Sequence, residues 1–179
     1  MLTKNFKSFM ALVLESNNWG IVKGMFAVKN VQGTTYYVAN NINSSMPSSI
    51  TGDFTLTANN PGISVGSGGT AATEEDYQLE STITSGLNAL VNRYCGVDNN
   101  GNPFLRFDIM LTNTTQSDIT IREIGYKQNL RCSNDLNGTS LSNRTCLLDR
   151  TVLTNAVTIE GDSYVVIRYI LKTVISAGE

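Results

Sequence analysis

Two segments of the chain alternate apolar and polar residues with a period of two, and that alternation constrains the fold more than any other feature. Between Phe104 and Leu111, the residues Leu105, Phe107, Ile109 and Leu111 fall on one side, with Arg106 and Asp108 on the other. Between Ser163 and Val174, Val165, Ile167, Tyr169 and Leu171 alternate with Arg168 and Lys172. Successive side chains of a β-strand point to opposite faces, so these are strands with one core side and one wet side, as antiparallel sheets have. Further β-branched and aromatic segments are expected as strands: Trp19–Lys29 and Thr34–Ala39 as a hairpin across Val31-Gln32-Gly33, a weaker Asp53–Ala58, Leu87–Val97, Ile119–Lys127, Cys146–Leu153 and Val157–Ile159. Asn100-Gly101 suits a tight turn needing positive φ, and Glu160-Gly161-Asp162 turns into the last strand. Short strands at this spacing predict a mainly β chain folded as an antiparallel β-sandwich.

One helix is expected. From Thr3 to Glu15, the residues Phe6, Phe9, Met10, Val13 and Leu14 follow the spacing of a single helical face, with Thr3 as N-cap. That stripe must pack on the chain's own sheet or on a neighbouring subunit; Phe6, Phe9, Met10 and Val13 are the candidate assembly interface. The domain reading is residues 1–18 as helix and docking segment, then residues 19–179 as a single sandwich domain. Asn40–Ser49 is expected as a loop, and residues 128–145 as a polar excursion without strand pattern.

At 179 residues with 41% hydrophobic and 16% charged residues, the chain suits one folded domain. A net charge of -2 leaves no basic field for nucleic acid. No apolar run reaches the length of a membrane span, so no membrane partner is expected. Lys4 and Lys7 break the apolar start, which argues against a signal peptide. The cysteines are Cys95, Cys132 and Cys146. Cys132 and Cys146 flank one polar loop and could pair, leaving Cys95 as a free, buried thiol; three unpaired thiols is the favoured alternative.

The chain has no histidine, which removes the usual general base, the commonest metal ligand and every Ser-His or Cys-His pair. Three cysteines without CxxC spacing make a poor zinc site. Asp98-Asn99-Asn100-Gly101-Asn102 puts glycine fourth and lacks the closing glutamate of an EF-hand. The sequons at Asn43, Asn113, Asn137 and Asn143 fit chance in an Asn- and Thr-rich chain. The glycine loop ISVGSGGTAATEEDYQLE, Ile63 to Glu80, lacks the lysine of a P-loop and the third glycine of a dinucleotide fold. Its acidic run repels phosphate, and Thr73 with Asp76 forms a capping pair. Catalytic, cofactor and metal residues are therefore expected to be none.

VGSGGTAATEEDYQLESTI (Val65 to Ile83), LTNTTQSDITIREIGY (Leu111 to Tyr126) and LLDRTVLTNAVTIEGDSYVVIRY (Leu147 to Tyr169) together resemble a family of small virion proteins of tailed bacteriophages. The starting MLTKNF and the VKNVQGTTYY hairpin extend the resemblance over most of the chain. It departs from the pattern in the stretch from Arg131 to Cys146. The resemblance implies an immunoglobulin-like or jelly-roll-like sandwich with no enzymatic role. It also implies a structural part of the tail, neck or head, made in the bacterial host cytoplasm, in several symmetric copies contacting other virion proteins. A receptor- or carbohydrate-binding module, stacking sugar on Trp19, Tyr36, Tyr37 or Tyr94, is the alternative. A hydrolase using Glu75 or Asp76 is a third reading.

Overall fold

A computed structural model describes residues 1–7, 26–38, 53–134 and 141–172. Among them the chain is mainly β. Eight strands form: β1 (Phe26–Lys29), β2 (Thr35–Val38), β3 (Gly62–Gly66), β4 (Leu87–Val97), β5 (Pro103–Asn113), β6 (Ile119–Ser133), β7 (Leu141–Ile159) and β8 (Tyr164–Lys172). They build a five-stranded sheet, β1-β2-β6-β3 with β7 also on β6, and a three-stranded sheet, β4-β5-β8. The pairs β1–β2, β2–β6, β3–β6, β4–β5 and β5–β8 are all antiparallel. By its contacts the chain divides into two compact units, the first made of Met1–Thr84 with Ile121–Val157, the second of Ser85–Thr120 with Thr158–Glu179.

In the first unit, β6 engages β3 through Glu123–Lys127 and β2 through Cys132 and Ser133. These stretches do not overlap, so one long strand serves three neighbours. The core here gathers Val28, Val38, Ile63, Val65, Leu79, Ile124, Leu130, Leu147 and Leu148. Residues 4–7 make one helical turn, and Phe6 N donates to Thr3 Oγ1 as the expected cap. Thr3 Oγ1 donates to Leu147 O at 2.8 Å, while Asn5 exchanges hydrogen bonds with the Lys29 backbone at 2.7 and 2.8 Å. The segment is thereby tied to β1 and β7. The rest of the expected helix, with Phe9, Met10, Val13 and Leu14, lies outside the described residues, as do Trp19 and the Asn40–Ser49 loop.

In the second unit the expected alternation holds. Phe107, Ile109 and Leu111 are fully buried, with Phe107 and Tyr169 stacked at 6.2 Å between ring centres. The Asn100-Gly101 turn forms as expected: Gly101 has φ 81, and Asp98 Oδ1 accepts from the Asn100 and Asn102 N–H groups.

Three expectations are corrected. Asp53–Ala58 is not a strand; only Phe54 bridges, to Ile63 of β3, and the strand forms within the glycine segment instead. Within the expected excursion, residues 128–133 and 141–145 are strand, because β6 runs to Ser133 and β7 begins at Leu141. There Gln128, Leu130 and Cys132 alternate inward, a period hidden by the polar glutamine. Cys95 is exposed, because residues 92–97 at the end of β4 all lie open to solvent.

Candidate interaction surface

The glycine loop closes on a carboxylate of the chain itself. Glu123, inward on β6 and fully buried, accepts Gly68 N–H (3.2 Å) and Ser81 N–H (2.8 Å) on Oε1, and Glu80 N–H (3.1 Å) on Oε2. Backbone amides in such a bend form an anion cradle, and here the anion is intramolecular. Arg150 of β7, its side chain 4% exposed, donates Nε–H to Glu123 Oε2 at 2.7 Å and Nη1–H to Asp76 Oδ2 at 2.9 Å. Its Nη2 donates to Thr70 O at 3.1 Å and to Glu80 Oε2 at 3.3 Å. Four of the five guanidinium N–H donors thus find acceptors held in one fork. Glycine is required at the contact: a Cβ on Gly68 would stand 2.5 Å from Glu80 Cβ and 2.7 Å from Glu123 Oε1.

The acidic run is likewise neutralised. Glu75 pairs with Lys4, and Glu74 with Lys7 at 2.5 Å. Thr73 and Asp76 pair as expected, Thr73 donating both its N–H and its hydroxyl to the Asp76 carboxylate at 2.9 Å each. Burial alone would raise the Asp76 pKa, but hydrogen bonds from Arg150 and Thr73 outweigh it and hold the carboxyl below its ordinary value. Hydrogen bonds from Thr70 lower Glu80, and the Lys7 bond lowers Glu74. These groups are ionised at neutral pH, so none is poised as a general acid. No cluster of metal-ligating residues occurs among the described residues, and no described helix is long and apolar enough to cross a membrane.

The remaining sequence candidates are dispersed. Phe6, Tyr36 and Tyr37 are half-buried, and Tyr94 is exposed with the Arg106 guanidinium 4.2 Å over its ring. The thiols of Cys132 and Cys146 lie together in the first unit's core, and the Cys132 contact with burial pushes Cys146 far above the ordinary thiol pKa. Asn113 of the second sequon is buried, its amide nitrogen donating to Ser117, Ile159 and Glu160 carbonyls. Glycan attachment there would break the fold.

The surface that the alternation did not disclose is the outward face of β4-β5-β8. Leu90, 66% exposed, lies in register with Met110 and Val166, the latter 60% exposed. Tyr94 lies in register with Arg106 and Ile170. Between these rows runs Asn92–Asp108–Arg168, in which Arg168 Nε donates to Asp108 Oδ1 at 2.9 Å. Tyr164 is also exposed. An exposed apolar patch divided by polar residues marks a contact surface. Its signal was in the run YVVIRYILK, where Val166 and Ile170 occupy the supposedly wet positions.

A scan of the chain against protein-family models gives no match, nor does a search among curated proteins or among solved structures.

Proposed function

We propose that this chain is a structural component of a tailed bacteriophage virion, in the tail, neck or a head-associated appendage, acting by multivalent contact with virion proteins and copies of itself. The observation that carries the assembly part is the exposed Leu90 and Val166, in register on either side of the half-buried Met110, beside exposed Tyr94 and Ile170. Many weak apolar contacts become strong when repeated in a symmetric particle. The virion part comes from the resemblance, and the segments that carry it meet at Gly68, Asp76, Glu123 and Arg150. The same reading takes the antiparallel sheets as an immunoglobulin-like or jelly-roll-like sandwich, residues 1–18 as a helical docking segment, and the chain as non-catalytic. Particles purified from cells producing the chain with either the native face or Leu90→Lys and Val166→Glu test it. Native chain co-sediments with particles and the substituted chain stays in the soluble fraction; native chain found only in the soluble fraction overturns the reading.

The receptor-binding alternative has one supporting observation, the exposed rings of Tyr94 and Tyr164. Specific binding of the isolated chain to a glycan array, lost in Tyr94→Ala, would favour it.

A further inference from the structure

We propose that the outward face of the β4-β5-β8 sheet is a two-fold contact between two copies of this chain, in which Asp108 and Arg168 of each copy pair with Arg168 and Asp108 of the other. The inference rests on the assembly reading above and names its surface and occupant. Its ground is the register of the strands. Along β5 and β8, Asp108 stands beside Arg168, Met110 beside Val166 and Arg106 beside Ile170. A two-fold axis parallel to the strands, between two facing sheets and midway between β5 and β8, lays β5 of each copy over β8 of the other. Every pair that is side by side within one sheet then recurs across the contact. Carboxylate meets guanidinium, Met110 meets Val166, and the methylene stem of Arg106 meets Ile170.

A self-complementary patch is what an isologous contact requires. In that contact Leu90, Met110 and Val166 on one side of the charged row, and Tyr94 and Ile170 on the other, shield it from water, the usual setting in which a charge pair gains strength. Charge balance also favours a copy of the chain over a strongly charged partner. The cations Arg106, Arg168 and Lys172 are set against the carboxylates Asp108 and Asp98, the latter held by Lys172 at 2.6 Å. Arg168 remains 60% exposed in its side chain despite its bond to Asp108, so its guanidinium is free to take a second carboxylate. Arg106 adds a buried Nε without an acceptor on this face.

The test separates pairing within one chain from pairing between chains. The full-length Asp108→Arg chain carries cations at both positions of the row, and the Arg168→Asp chain carries carboxylates at both. Sedimentation velocity over a concentration series should show the native chain self-associating and each single variant weakened about tenfold or more by like-charge contact. An equimolar mixture of the two variants should recover association as a mixed pair, which a bond confined to one chain cannot produce. Circular dichroism establishes folding, and Val166→Glu serves as a second variant if either charge change unfolds the chain. A native chain that stays monomeric at its highest soluble concentration, single variants that associate as the native chain does, or a mixture that forms no mixed pair overturns the proposal. A monomeric native chain that still enters particles refutes this contact while leaving the assembly reading standing.

Discussion

Arg150 donates its Nε–H to Glu123 Oε2 across 2.7 Å, with both charges sealed from solvent and the glycine loop folded over them. Desolvating two charges costs more than their attraction returns unless further bonds complete the set, and Glu123 takes three backbone N–H bonds here. Removing one partner is therefore far worse than removing both. Arg150→Met should destabilise the chain by about 3–5 kcal/mol, leaving an uncompensated buried carboxylate. Glu123→Gln added to it should recover part of that loss. Urea unfolding of the two singles and the double gives the cycle; an additive double mutant would show that the two groups do not depend on each other.

The loop's glycines should divide by contact and not by number. Gly68→Ala drives a Cβ into Glu80 and Glu123, and overpacking of this kind costs about 1–3 kcal/mol. Gly69 meets nothing nearer than Arg122 Cδ at 3.8 Å, so Gly69→Ala should be neutral or stabilising by up to about 1 kcal/mol through the unfolded state. Thermal melts of the two variants measure the contrast. Equal losses would mean that the loop is not closed over Glu123.

Lys127 carries a pH signature. Its Nζ donates to Thr57 O and Ala58 O at 2.9 Å each, and burial brings its pKa down from 10.5 to about 8. Above pH 8 the unfolded chain holds a proton that the folded chain has released, so this group's contribution to stability rises between pH 8 and 10.5. The slope is at most about 1.4 kcal/mol per pH unit. Lys127→Met should lose that rise. If the difference in unfolding free energy between native and variant chains is flat from pH 8 to 10.5, Lys127 is not desolvated as described.

The thiols should differ in reactivity. Cys95 is exposed, whereas Cys132 and Cys146 are buried and Cys146 is held protonated. Because the thiolate is the nucleophile, iodoacetamide at pH 8 should label the folded, reduced protein at Cys95 first and reach the other two only in denaturant. Peptide mass spectrometry reads the sites; prompt labelling of Cys146 in the folded chain would contradict the packing.

The sequence disclosed most where hydrophobicity and parity agree. Phe107, Ile109 and Leu111 declared the core side of β5, and Asn100-Gly101 declared its turn. It disclosed least where a polar residue points inward. Glu123 and Arg150 sit at core positions of their strands, and no periodicity of apolar residues registers a charge that is satisfied by a partner 27 residues away. Gln128 concealed the extension of β6 in the same way. The candidate surface was missed for the opposite reason: Val166 and Ile170 are apolar residues on an outward side, where alternation assigns only Arg168 and Lys172. A continuous apolar run on an otherwise alternating strand was the available signal.

The most direct test of the account is the copy number of this chain in purified particles, measured by quantitative mass spectrometry against a capsid protein of the same preparation. A structural component held by repeated contacts gives a fixed ratio that persists through density-gradient purification and a salt wash. Absence of the chain from washed particles, or a ratio that drifts from one preparation to the next, would contradict it.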